Sequence, residues 1–180
     1  VQTCALPISP ELEFFVFDDV RFDQLGHEAY YHVDSVEGIW NRGRVETPNL
    51  GYKVGSGLGY FPCPPADSLA NLRSEMAQRM AECGIATSSH FHEVATGGQC
   101  EIDLVARSLV TCADQVMLAK SIIRNVASRN RKAATFMPKP LFGDNGSGMH
   151  THLSLWKADE SLLARSGYAG LSDPGSSRPH

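Results

Sequence analysis

The sequence predicts an α+β fold, and three observations carry that expectation. Five strand-like runs are spread along the chain, whereas only two segments repeat apolar residues at helical spacing. Two helices are too few to cover both faces of a doubly wound parallel sheet. The 180 residues are 42% hydrophobic and 20% charged, the balance of one ordinary globular unit with a sizeable core.

The elements follow in order. Residues 11–20 (ELEFFVFDDV) are aromatic and β-branched and bounded by turn formers, as in a largely buried strand with Glu11 and Glu13 on one face. A second strand-like run covers 29–40, and a Gly-rich stretch without helical period follows it over 42–60. Asp67 or Ser68 can cap a helix whose Leu69, Leu72, Met76 and Met80 recur three and four apart, with Gly84 as its stop. Over 86–105, Gly97 and Gly98 divide two strands of a hairpin. Thr111 and Asp114 resemble a capping box opening a second helix to about Asn130, with Val116, Ile122, Ile123 and Val126 facing inward and Arg124, Arg129, Arg131 and Lys132 solvated. Residues 144–148 (DNGSG) form a loop, and 149–156 (MHTHLSLW) alternate as a strand.

Composition excludes several classes of function. Sixteen basic against 20 acidic residues give a net charge of -4, with no excess to neutralise a phosphate backbone. No run of apolar residues reaches the roughly 18 that a membrane span needs. The five cysteines (4, 63, 83, 100 and 112) are odd in number and show no C-x-x-C spacing, so they read as reduced thiols and favour the cytoplasm. Residues 1–9 lack an initiating Met and read as a foreign or truncated leader; residues 10–173 form the folded unit and 174–180 a frayed tail.

Chemistry concentrates on three strands. Glu11 with Glu13, and His150 with His152, share a face by period two. Glu93 and Glu101 share a face only if the hairpin loop has an odd number of residues. A loop of residues 97–99 is predicted, which sets Ala95 opposite Glu101 and Glu93 opposite Asp103. Four carboxylates and one or two imidazoles converging on one face repel unless cations lie between them, and oxygen-rich ligation suits Mg²⁺ or Mn²⁺, ions that commonly hold nucleotide phosphates. DNGSG can offer backbone N–H groups to an anionic substrate. His90 and His92 alternate onto the opposite face and read as structural.

Beyond this reading, the chain resembles bacterial type I glutamine synthetases through PELEFFVFDDVRF, GYFPCPPADS, HFHEVATGGQCEID, KAATFMPKPLFGDNGSGMHTHLSL and GYAGLSD, in that order. The resemblance runs from Pro10 to about Asp173 and implies an internal fragment of a catalytic domain, with a curved, largely antiparallel sheet and flanking helices. It implies ATP-dependent ligation of ammonia to L-glutamate through γ-glutamyl phosphate, with two divalent metals, Mg²⁺ or Mn²⁺, per site. Glu13, Glu93 and Glu101 match the ligands of one metal, and Glu11 and His150 two ligands of the other. Asn145 and Gly146 match glutamate-binding positions, His152, Leu153 and Ser154 match ATP contacts, and Tyr60 matches a residue beside the ammonium site. Asp103 stands as a supporting residue behind the ligands. The resemblance further implies a homo-oligomeric double ring for a full-length parent, with no turnover from these residues alone and with sticky exposed surfaces.

Ser88 stands where the family carries a nucleotide-contacting Glu, Phe91 replaces a His, and Ala106-Arg107 replaces a common Phe-Asp pair. These departures weaken the expectation for nucleotide binding. Two alternatives stay open: a relative that ligates glutamate to a polyamine, ethanolamine or another amine, and a non-catalytic family member.

Overall fold

The computed structural model describes residues 4–43, 49–157 and 160–162. In chain order the elements are β1 (Cys4–Ala5), β2 (Pro7–Phe17), β3 (Asp19–Gln24), β4 (Ala29–Asp34), α1 (Ala70–Glu82), β5 (Thr87–His92), β6 (Gln99–Leu104), β7 (Arg107–Ser108), α2 (Leu109–Arg129), β8 (Ala133–Thr135), β9 (Thr151–Leu153), β10 (Trp156–Lys157) and β11 (Glu160–Ser161). The predicted α+β class holds. Among the described residues every strand pair is antiparallel, and two helices lie against one main sheet built around β2.

β2 divides its side chains cleanly. Leu12, Phe14 and Val16 join Cys100, Ile102 and Leu104 of β6 beneath Leu72, Met76 and Met80 of α1 and Ala119, Ile123 and Val126 of α2. Full burial of each large apolar side chain contributes about 1.5–3 kcal/mol. Period two therefore sends Glu11, Glu13, Phe15 and Phe17 to the other face, where Phe15 and Phe17 pack with Ala95 in a smaller cluster. The sheet thus has an apolar helix side and, over the first half of β2, a polar open side.

Both helices end in the same way. Gly84 at φ 78 closes α1, with its N–H on Ala81 O and that of Ile85 on Met80 O. Arg131, at φ 57, plays the same part for α2, with Lys132 N donating to Ala127 O at 2.9 Å. The predicted starts are less accurate. α1 begins at Ala70 after Leu69, which makes no side-chain cap, because Asp67 is held by Arg73 and also accepts the Leu69 amide. α2 begins at Leu109, two residues before the expected cap; the Ser108 hydroxyl donates to the Thr111 hydroxyl, so no capping box forms.

Other expectations change at their edges. Residues 7–9, set aside with the leader, belong to β2: Ile8 is buried and the Ser9 hydroxyl donates to Leu104 O. The run over 29–40 splits at Asp34, whose carboxylate accepts the Ser35 amide and turns the chain; β3 pairs with its first half as an exposed hairpin that polar residues concealed. The strand over 149–156 is shorter, at Thr151–Leu153. The calls over 163–180, tail included, lie outside the described residues. No helix among the described residues is long and apolar enough to cross a membrane.

Candidate metal centre

The β5–β6 turn decides the site. Residues 94–98 form a five-residue loop rather than the expected three, closed by Glu93 N donating to Gln99 O at 2.9 Å. Glu101 therefore faces Phe91 rather than Ala95. Five is also odd, so Glu93 and Glu101 still share a face. Gly98, at φ 91, is required here: a Cβ would run into the Val16 carbonyl oxygen, against which the turn is pressed.

Strand register assembles the rest. Glu13 lies opposite Glu101, and Glu11 opposite Asp103, across β2 and β6. On the other edge of β2, Glu11 N donates to His150 O at 2.9 Å and Ser9 pairs with His152. His150 Nδ1 lies 3.1 Å from Glu11 and 3.9 Å from Glu13, while His152 Nε2 hydrogen-bonds the other oxygen of Glu11. Glu11, Glu101 and Asp103 can each bring a carboxylate oxygen within 4.8 Å of the others. All five residues expected as ligands from the resemblance thus meet on one face, and Asp103 joins them beside Glu11 and Glu101.

Like charges directly opposite on adjacent strands destabilise a sheet. Glu101 shows the strain: burial, with hydrogen bonds and repulsion from Asp103 and Glu93, pushes its carboxyl up to about 9. Asp103 has one oxygen on the Ser89 hydroxyl and the other, Oδ1, buried without a donor. A buried acceptor needs a partner. A divalent cation among these oxygens would supply it and remove the repulsion, so the donor set fits the hard metal that the sequence implies. Burial would raise Glu11 as well, but hydrogen bonds from His152 and His150 hold it below the ordinary carboxylate range.

Supporting contacts reach neighbouring loops. Gln99 Nε2 donates to Glu13 at 3.1 Å and to Gly146 O at 2.9 Å, and Gly148 N donates to Glu13 at 3.0 Å. The DNGSG loop is thereby tied to Glu13, one of the residues expected as ligands from the resemblance. Asp144, at its start, accepts N–H groups from Thr96, Gly57 and Asn145. Asn145 is exposed, as are His152 and Leu153, while the Ser154 hydroxyl accepts Trp156 Nε1 at 3.0 Å. Tyr60 is 60% exposed, edge-on to Phe61 and Phe91, on a loop joined to the end of β5 by Gly59 N to Val94 O and Phe61 N to His92 O.

Gln99 escaped the sequence reading although it continues the alternation with Glu101 and Asp103. Glu37 escaped as well, and only tertiary contact marks it: its buried carboxylate lies 3.0 Å from His92 Nε2. Burial opposes a charged ring, but Glu37 outweighs it and holds His92 above its ordinary value. His92 is fully buried on the face away from Glu93, as expected.

Comparison with known proteins places the chain in a family. Residues 3–177 match the family described as glutamine synthetase, catalytic domain. Glutamine synthetases of Microchaete diplosiphon and Aquifex aeolicus are each 53% identical over 91% of this chain, which spans 35% and 34% of their lengths. The cryo-EM structure of Plasmodium falciparum glutamine synthetase superposes with a TM-score of 0.79 at 33% identity, over 88% of this chain and 31% of its own. A structure titled GmaS/ADP complex follows at a TM-score of 0.63 and 25% identity, over 94% of this chain and 34% of its own. By sequence and by fold, the chain belongs to the glutamine synthetase catalytic-domain family.

Proposed function

We propose that this chain carries the metal face of an enzyme that ligates ammonia to L-glutamate with ATP, through γ-glutamyl phosphate. The observation that supports the reading best is the convergence of Glu11, Glu13, Glu93, Glu101 and His150 on one sheet face. Glu13, Glu93 and Glu101 would hold one divalent ion and Glu11 with His150 the other, Mg²⁺ or Mn²⁺. Such ions neutralise charge on nucleotide phosphates during phosphoryl transfer.

The protein's own groups orient the reactants. Gln99 locks Glu13 to Gly146, so the loop proposed to bind glutamate through Asn145 and Gly146 is positioned by the same side chain that aims a metal ligand. His152, Leu153 and Ser154 are proposed at the ATP side, a reading that the ADP named for one structural relative supports. Tyr60 is proposed beside the ammonium. Assembly of the whole protein into a homo-oligomer, and its place in the cytoplasm, belong to the same proposal.

The test is an assay of the full-length protein with glutamate, ammonium, ATP and Mg²⁺ or Mn²⁺. Formation of glutamine and inorganic phosphate is expected; ATP turnover with an alkylamine but not with ammonium would overturn it. That second reading has one observation in its favour, since Phe91 stacks on Phe61 and makes the surroundings of Tyr60 apolar.

A further inference from the structure

We propose that the buried His92–Glu37 pair is a positioning clamp that sets the Tyr60 loop and the metal-bearing end of β5 in one register. The inference rests on the metal and amine roles proposed above for Glu93 and Tyr60.

The hydrogen bonds of the ring carry the argument. Nδ1 lies 2.9 Å from Gly59 O and 2.7 Å from Glu93 O, and Nε2 lies 3.0 Å from Glu37 Oε2. Every neighbour is an acceptor, so an imidazole with one N–H would leave two acceptors face to face; a ring with both N–H groups satisfies all three. One side chain thereby holds the backbone beside Tyr60, the backbone of Glu93 and a carboxylate from the 35–38 turn. The other oxygen of Glu37 accepts the Ser68 amide at 2.6 Å, at the approach to α1, and its own carbonyl accepts the Val54 amide.

The same segment also braces the far side of the turn. Trp40 packs so tightly on Gly97, between Glu93 and Glu101, that a Cβ there would sit 2.5 Å from the indole. A second buried pair among the described residues, Arg73 with Asp67, provides a contrast, since it joins the start of α1 to Cys100 and bonds no backbone of the described site loops. Buried ion pairs are weak sources of net stability, and their best-attested use is to specify register.

The experiment measures Mn²⁺ affinity and amide hydrogen exchange in the full-length protein and in Glu37→Ala and Glu37→Gln variants. Glutamine at 37 can still accept the Ser68 amide and donate to a singly protonated ring, so it should keep near-native behaviour. Alanine should weaken Mn²⁺ binding on the order of tenfold, the scale found when a group supporting a metal ligand is lost. Alanine should also speed exchange at the Gly59 and Phe61 amides. A folded Glu37→Ala protein with lower thermal stability but unchanged Mn²⁺ affinity and loop exchange would overturn the clamp. If alanine prevents folding, the wild type decides: by linkage, Mn²⁺ should protect the Gly59 and Phe61 amides, and indifference of those amides to bound Mn²⁺ would overturn it. Wild-type protein that binds no Mn²⁺ removes the metal reading itself and the clamp with it, an outcome distinct from failure of the clamp alone.

Discussion

Glu11 and Asp103 stand directly opposite one another on β2 and β6, two residue pairs along from the equally opposed Glu13 and Glu101. Four opposed carboxylates on one sheet face disfavour folding on their own.

Asp103→Asn should raise the stability of the metal-free protein by about 1 kcal/mol, since it removes a like charge and gives the buried position a donor. The same change should weaken Mn²⁺ binding. Thermal melts in chelator and calorimetric titration measure the two effects; a lower melting temperature without metal would contradict the account.

The raised carboxyl of Glu101 gives a pH dependence of known sign. The folded state keeps a proton, up to about 9, that the unfolded state releases near the ordinary glutamate value of 4.5. Its contribution to metal-free stability is thus full below 4.5 and is lost as pH rises toward 9. Bound Mn²⁺ favours the ionised form, so the melting-temperature gain from Mn²⁺ should grow from pH 5 to pH 9. A gain that shrinks over that range would be incompatible with this site.

Gly98→Ala should disrupt the β5–β6 turn, because it combines a positive φ with a collision against the Val16 carbonyl. A net cost above about 1 kcal/mol is expected, outweighing the roughly 0.4–1 kcal/mol that alanine gains by restricting the unfolded chain. Denaturant unfolding checks it, and a neutral result would mean that the turn relaxes freely.

Arg73→Met should cost about 3–5 kcal/mol by leaving the Asp67 carboxylate buried and unpaired. Adding Asp67→Asn should recover a substantial part. Urea melts of the single and double variants decide, and strict additivity would deny the coupling.

Much of this was legible in the sequence because period two is a strong constraint. Once β2 is a strand, Glu11 and Glu13 must share a face and Leu12 and Phe14 must take the other. The parity of the β5–β6 loop was legible for the same reason, but its length was not: five residues fit because Ala95 N bonds Gln99 Oε1 and Gly98 presses on Val16, contacts with no local signature. The end of α1 followed its Gly84 signal and α2 ended near Asn130 as expected, whereas helix starts failed where other side chains engaged the expected caps, Arg73 at Asp67 and Ser108 at Thr111. Polar composition hid β3, and Glu37 has no pattern at all, since its role exists only once residue 92 arrives beside it.

The central strand has a kinetic consequence. β2 recruits β6 along one edge and, much later in the chain, β9 along the other, so Glu11 meets Asp103 and His150 only after long loops have closed. Such pairings are slow to form. On the proposed assignment, the ion at Glu13, Glu93 and Glu101 would need the β6 edge and the ion at Glu11 and His150 the β9 edge, so occupancy of both would distinguish completed chains from those arrested with β9 undocked.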